Sequence, residues 1–297
     1  MAKERRSLSG KVVAITGGAR GIGKATAKAL VAKGCRVAIG DLELELAEKT
    51  ATEVGGGTVA LPLDVTDRGS FEHFLDEAER QLGSLDAVIN NAGIMPVTPF
   101  AEEAEDSIRR QVEINFIGLA TGTQLAINRL RPRGSGYIVN IASQADKAGV
   151  PGIATYSGTK HAVVGLSEAV RAELRDTGIE VLCVMPTVVN TELTSGVGQK
   201  WVKPVEASDV ANEIVDAMEV PRFDVFVPRA NGILYRVLGP LPRSWREALA
   251  RAMKVDKLMI EVDHGARRAY EERAAHSAGE AAEQGETEAP APQRDAA

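Results

Sequence analysis

A chain of 297 residues, 44% apolar and 26% charged, has room for one large α/β domain with an appendage or for two domains, and has the balance of an ordinary globular protein. Its net charge of −6 gives no overall pull toward nucleic acid, and its two cysteines, Cys35 and Cys183, sit in apolar runs that suit buried, reduced thiols. No window of 18 uninterrupted apolar residues, no cysteine–histidine cluster with metal-ligand spacing and no secretory pattern behind MAKERRSLSG occurs, so the expectation is a cytoplasmic protein without a membrane span or a bound metal.

Short β-branched runs recur along the chain: KVVAIT (11–16), RVAIG (36–40), TVALPLD (58–64), LDAVIN (85–90), GYIVNIA (136–142), EVLCVMP (180–186) and DVFVP (224–228). They are almost continuously apolar, as strands covered on both faces must be. Helical patterns lie between them, for example at 22–33, 68–82, 102–130, 155–176 and 207–219. Such alternation predicts right-handed crossovers and a doubly wound, mostly parallel sheet of seven strands with helices on both faces. The rhythm stops near residue 231. The boundaries expected are 1–230 for a dinucleotide-binding catalytic domain, 231–276 for a helical, basic and apolar C-terminal extension, and 277–297 for a tail too polar to fold on its own.

The loop ends of the strands carry the chemistry. TGGARGIG (16–23) places Gly17, Gly21 and Gly23 at a strand-to-helix turn, with Arg20 and Ile22 among them; a backbone bent this sharply at a helix N-terminus can approach a pyrophosphate. Asp41 ends the second strand, 18 residues after Gly23, where a carboxylate can accept hydrogen bonds from ribose hydroxyls and repel a 2′-phosphate. Arg20 pulls the other way, toward a 2′-phosphate, but Asp41 stands at the ribose position itself and the balance favours NAD over NADP. Asp64 and Val65 follow the third strand, Asn91, Ala92 and Gly93 the fourth, Ser143 the fifth, and Pro186, Thr187, Val189 and Thr191 the sixth. All stand at carboxyl ends of strands, where open α/β sheets bind ligands. Within YSGTK (156–160), Tyr156 and Lys160 fall on one helix face; by spacing alone this fits a packed tyrosine beside a solvated lysine as well as a catalytic pair.

Taken together, T-G-x-x-x-G-x-G at 16–23, N-N-A-G at 90–93, Asn115 within VEINFIG, Ser143 and Y-x-x-x-K at 156–160 resemble the short-chain dehydrogenase/reductase family, in order and spacing, over roughly residues 8–230. The three residues between Gly17 and Gly21 match its one-domain branch. The resemblance implies a Rossmann-type fold and an NAD(P)-dependent oxidoreductase. Tyr156 is then the general acid/base, Ser143 orients the substrate oxygen, Lys160 and a cationic nicotinamide ring together lower the tyrosine pKa, Lys160 also holds the nicotinamide ribose, and Asn115 positions a water in a proton relay. Pro186-Thr187 departs from the Pro-Gly of many relatives, and the threonine side chain would narrow the space beside the nicotinamide. His161 points about 100° away from Lys160 around the helix and is read as packing or surface.

The expected pocket wall (Met95, Pro96, Val97, Ala145, Val150, Pro151, Val188) is apolar and shows no arginine clamp. It suits an apolar secondary alcohol or ketone of lipid, sterol, retinoid or terpenoid type, with 191–206 as a lid on glycine hinges. The alternative is a catalytically silent dinucleotide-binding regulatory or scaffold protein. As partners the resemblance implies a homodimer or homotetramer through the helices at 102–130 and 155–176. Segment 221–257 carries eight Lys/Arg against three acids, with Ile233, Leu234, Val237, Trp245 and Leu249 among them. It fits a cover over the cleft or a subunit interface. It also fits peripheral contact of 231–253 with an anionic membrane, although Pro240 and Pro242 break it into short pieces.

Overall fold

The computed structural model describes residues 5–146, 149–196, 204–252 and 262–275. The strands β1 (Val12–Thr16), β2 (Arg36–Asp41), β3 (Val59–Pro62), β4 (Ala87–Asn90), β5 (Gly136–Ile141), β6 (Ile179–Pro186) and β9 (Asp224–Val227) form one sheet in the order β3-β2-β1-β4-β5-β6-β9. Every neighbouring pair is parallel, so the sheet is parallel throughout and not merely mostly so. The expected doubly wound Rossmann architecture is thus the observed one. Strand order reverses between β1 and β4, and that crevice is where such sheets take ligands.

Continuous apolar strands are explained by cores on both faces. Val13, Ile15 and Ile39 point into one core with Leu30 of α1 (Gly21–Ala32) and Val210 and Ile214 of α7 (Ala207–Glu219). Val12 and Ala14 point into the other with Phe71, Phe74 and Leu75 of α3 (Arg68–Leu82) and Leu125 of α5 (Leu119–Leu130). The period of two sends alternate residues to opposite faces. Leu30 is fully buried, so truncating it to alanine would cost about 2–5 kcal/mol. Helix α2 (Leu44–Val54) covers the β2–β3 crossover.

The helix expected at 102–130 is not continuous. It divides into α4 (Glu105–Val112), a π-helical turn Glu113–Gly118, and α5. The wider turn sends the Asn115 side chain inward to bond the loop after β4. A side chain at Gly118 would lie 2.8 Å from the Val65 carbonyl oxygen, so the turn can sit this close to the β3 loop only with glycine there. Helix α6 (Ala154–Glu173) carries Tyr156 and Lys160. A small parallel ladder, β7 (Val189–Asn190) with β8 (Val205–Glu206), brackets the segment expected to be a lid; residues 197–203 of that segment lie outside those described.

Beyond β9 the chain forms α8 (Arg229–Leu238), α9 (Arg243–Ala252) and α10 (His264–Ala275). Gly232 lets α8 settle on Phe226, and Tyr235 stacks on the same ring at 5.8 Å between centroids. The opposite side of α8 leaves Ile233 and Val237 exposed, as is Trp245 of α9. Helix α10 returns over the loops after β4 and β7. The expected polar tail, 277–297, lies outside the described residues. Among the described residues, no helix is long and apolar enough to cross a membrane. Cys35 and Cys183 are both buried.

Candidate active site

A cavity of about 740 Å³ runs along the carboxyl ends of the strands, from Asp41 and Leu42 to Tyr156 and Tyr270. At its first end, Gly17 (φ +63°) turns the chain out of β1 and into α1 in a backbone conformation that disfavours other residues. The turn is held from below. Thr16 Oγ1 accepts hydrogen bonds from the Asn91 and Ala92 amides at 2.9 and 3.0 Å, and Asn91 Nδ2 donates to the Thr16 and Gly17 carbonyls, both at 2.9 Å. Gly17, Arg20, Gly21, Ile22, Asp64, Val65, Asn91, Ala92 and Gly93 all line the cavity.

Gly23 does not line it. A side chain there would lie 2.3 Å from the Gly17 carbonyl oxygen, so Gly23 lets α1 pack against its own turn. This packing is the role visible at Gly23, which was expected among the cofactor-binding residues. Asp41 is held in position at the end of β2, accepting from the Ala19 amide at 3.0 Å and the Glu43 amide at 3.2 Å. Burial raises its pKa above the ordinary carboxylate value, while those two amides and Arg20 pull it down. The Arg20 guanidinium is engaged by Glu43 at 2.5 Å and Glu192 at 3.0 Å.

At the other end, Ser143 after β5 lines the cavity with Tyr156, and its Oγ accepts from the Ala145 amide at 3.1 Å. Lys160 is buried, its Nζ 5.6 Å from the Tyr156 ring centroid and donating to the Ile141 carbonyl at 2.8 Å. The expected lowering of the tyrosine pKa involves the Lys160 ammonium and a cationic nicotinamide together. In the protein alone, burial pushes Tyr156 up to about 12, more than Ser143 draws it down, and burial pushes Lys160 down to about 8. Burial favours the neutral form of each group.

Asn115 stands behind the cavity wall. It accepts from the Ile94 amide at 2.8 Å and donates to the Ile94 carbonyl at 2.9 Å and to Thr159 Oγ1 at 3.3 Å, while Thr159 donates to the Tyr156 carbonyl at 2.7 Å. Its side chain thus locks the β4 loop to the helix that carries Tyr156. Pro186, Thr187, Val189 and Thr191 line the cavity, as do Met95, Ala145, Val150 and Val188 of the expected wall; Pro96, Val97 and Pro151 do not. His161 is exposed, a ring nitrogen 2.8 Å from the Ser157 carbonyl, as expected of a surface residue.

Segment 221–257 was expected to cover the cleft or a subunit interface, and Asn231, Leu234 and Tyr235 of α8 do line the cavity. Sequence reasoning missed Tyr270, Arg273 and Ala274, which line it from α10.

The family described as short chain dehydrogenase matches residues 11–201. A sorbitol dehydrogenase of Cereibacter sphaeroides is 39% identical over 195 residues, covering 65% of this chain and 76% of the relative. A 3-alpha-(or 20-beta)-hydroxysteroid dehydrogenase of Mycobacterium tuberculosis is 32% identical over 211 residues, 68% of this chain and 81% of the relative. In three dimensions, a short chain dehydrogenase/reductase from Burkholderia phymatum, crystallised in complex with NAD, superposes with a TM-score of 0.72 at 22% identity, covering 78% of this chain and 93% of that one, which speaks to the fold. The family match spans the whole run from the glycine turn through Tyr156 and Lys160, and this chain belongs to the short-chain dehydrogenase/reductase family, oxidoreductases built on a nucleotide-binding Rossmann fold.

Proposed function

We propose that the protein is an NAD-dependent alcohol dehydrogenase or carbonyl reductase acting on an apolar secondary alcohol or ketone. The observation that carries this is that Ser143, Tyr156 and Lys160 line one cavity together with the glycine turn after β1. The residues present fit a nicotinamide dinucleotide. Gly21 and Gly93 keep space open where side chains would press toward Thr191 (3.4 Å) and toward Asn115 and Lys160 (3.1 and 3.7 Å). Gly17, Ile22, Asp64, Val65, Asn91, Ala92, Val189 and Thr191 would hold it along the cavity, with Asp41 at its adenosine ribose.

When bound, the dinucleotide supplies the hydride acceptor or donor. Once deprotonated, Tyr156 Oη would take the substrate hydroxyl proton during oxidation, and the phenol so formed would return it during reduction. Ser143 holds the substrate oxygen against that hydroxyl. Lys160, close to its titration point, passes the proton onward, and Asn115 fixes the loop beside it.

NAD is favoured over NADP because the Asp41 carboxylate lines the cavity while Arg20 is already paired with two carboxylates. Support for the apolar substrate class comes from the cluster of Met95, Val97, Ala145, Ile153 and Tyr156, against which Val188 and Leu193 pack. The hydroxysteroid-acting relative agrees with this class, whereas the sorbitol-acting relative has a polar substrate. The silent-scaffold alternative has less support, since Ser143, Tyr156 and Lys160 are all present and adjacent. A panel of alcohols and ketones, each with NAD and with NADP and followed by the absorbance of the reduced nicotinamide, tests the reading. No turnover with either cofactor across the panel would overturn it.

A homodimer or homotetramer is proposed as well. Val112 and Ile117, 37% and 41% exposed, offer apolar surface on the stretch from α4 into the π-helical turn.

A further inference from the structure

Helix α10 lies beyond the residues that match the family, yet it sets a buried Arg267 and a partly buried Tyr270 at the substrate end of the cleft. Arg267 is 0% exposed. Its Nη1 donates to the carbonyls of Leu193 (2.9 Å) and Ser195 (3.1 Å), its Nη2 to that of Met95 (2.7 Å), and its Nε to Glu271 Oε1 (2.8 Å). One guanidinium therefore ties α10 to the loop after β4 and to the loop after β7. A second approach reinforces the first: the Asp263 amide donates to the Gly196 carbonyl at 2.9 Å, and a side chain at Gly196 would lie 2.4 Å from the Asp263 carbonyl oxygen. Removing the guanidinium would strand buried carbonyls on both loops.

Tyr270 follows three positions later and lies under the same guanidinium, 4.9 Å from ring centroid to Arg267 Cζ. Its hydroxyl accepts from the Met95 amide at 2.7 Å, which fixes the oxygen. Among the described residues that is the hydrogen bond it makes, and accepting it leaves the hydroxyl hydrogen available. The side chain lines the cavity that Tyr156 lines. Burial raises its pKa, so it keeps its proton throughout the working range and serves as a donor, not as a base.

We propose that Tyr270 is a substrate-positioning residue that donates a hydrogen bond to a second oxygen of the substrate, with Arg267 holding α10 in place for it. The site then selects apolar alcohols or ketones that carry another hydroxyl, carbonyl or ether oxygen away from the reacting carbon. This deepens the substrate class and rests on Ser143, Tyr156 and Lys160 being the reacting centre. The physical ground is that a buried donor left without an acceptor costs free energy, so a site with such a donor rejects the analogue lacking the oxygen more strongly than an apolar wall rejects a change of size.

The test is a graded set of cyclic ketones, from cyclohexanone to decalone size, each with and without a distal hydroxyl. Two quantities are measured: kcat/KM with reduced NAD, and affinity by calorimetry for the Tyr156→Phe protein carrying reduced NAD. The hydroxylated member should be preferred by about tenfold or more in both, as one satisfied hydrogen bond implies. Tyr270→Phe should bring that ratio to near one, chiefly through KM. A purely structural role would lower both members of each pair equally and leave the ratio unchanged, which overturns the proposal. So does the absence of any preference in the wild type at every ring size. If wild-type turnover is absent but the binding preference exists and Tyr270→Phe removes it, the positioning role stands and the assignment of the reacting centre falls. Arg267→Met should lower the same ratio and speed amide hydrogen exchange in 264–275, with Arg267→Lys restoring part of both; unchanged exchange and ratio in Arg267→Met would overturn the latch.

Discussion

At the cofactor end of the cleft, Asp41 is bonded to the turn residue Ala19, 22 positions earlier, and the two are brought together by adjacent strands. At the substrate end, Met95 is bonded to Tyr270, 175 positions later. The first end is built from the β1-α1-β2 unit braced by the loop after β4, and its hydrogen bonds join backbone groups to the side chains of Thr16, Asp41 and Asn91. The second is assembled from the loops after β4, β5 and β7 and from α8 and α10, and its closest ties run through one buried arginine. A site of the first kind is written into a short stretch of sequence. A site of the second kind changes with any segment that contributes to it, which is how one fold serves different substrates.

This contrast can be broken most decisively at Tyr156. Tyr156→Phe should lower turnover by about 10²- to 10⁴-fold, the usual share of a general acid/base, while NAD affinity by fluorescence titration stays near wild type. Equal loss of both would mean that the two ends are not separable. Asp41→Ala should act only at the cofactor end. Removing the charge that opposes a 2′-phosphate should shift the NAD-to-NADP ratio of kcat/KM about ten- to hundredfold toward NADP. Equal use of the two cofactors by the wild type would transfer the decision to Arg20.

A pH series sharpens the contrast through Lys160. Its folded pKa is lowered to about 8 from an ordinary value of 10.5, because burial disfavours the ammonium. Between those values the unfolded chain binds the proton more tightly, so this group makes stability rise with pH through that window, and its cost is present in full below it. Lys160→Met removes the group. Its Tm relative to wild type should therefore be highest near pH 7 and decline as pH rises toward 10. A difference that does not vary with pH would show that the lysine is not destabilised by burial.

Smaller effects are expected away from the cleft. Ile117→Glu places a charge on exposed apolar surface where a partner subunit is proposed, and should lower the mass seen by light scattering; a wild type that is already monomeric would remove the proposed interface. The smallest effect concerns α8 and α9. If Ile233 and Trp245 rest on an anionic membrane, Ile233→Ser with Trp245→Ser should reduce salt-sensitive sedimentation with anionic vesicles and leave neutral ones unaffected. No vesicle binding by the wild type would leave this face to protein contacts.

Much of the molecule was legible beforehand. All seven strands of the main sheet were placed within two residues at each end, because a strand covered on both faces must be apolar throughout. The glycine turn and Asp41 were singled out because each stands where a strand ends, whereas Ser143, Tyr156 and Lys160 took their roles from the resemblance to the family. The break in the helix at 113–118 was not legible, since a π-helical turn keeps the helical pattern and differs only by the extra residue it accommodates. Nor was the upward shift of the Tyr156 pKa, which depends on how completely the surroundings exclude water.

The sequence by itself determined the architecture and the cofactor end, because hydrophobic period and turn chemistry act over a few residues and leave a readable pattern. Only the tertiary structure decided that α10 returns across the cleft, that Arg267 is wholly buried there, and that Tyr270 lies in the same cavity as Tyr156. Arg267 and Tyr270 look like ordinary members of a charged helix until the chain's path places carbonyls of Met95, Leu193 and Ser195 around one and the Met95 amide beside the other. Such contacts depend on how distant segments pack, and no local pattern encodes the distance between them.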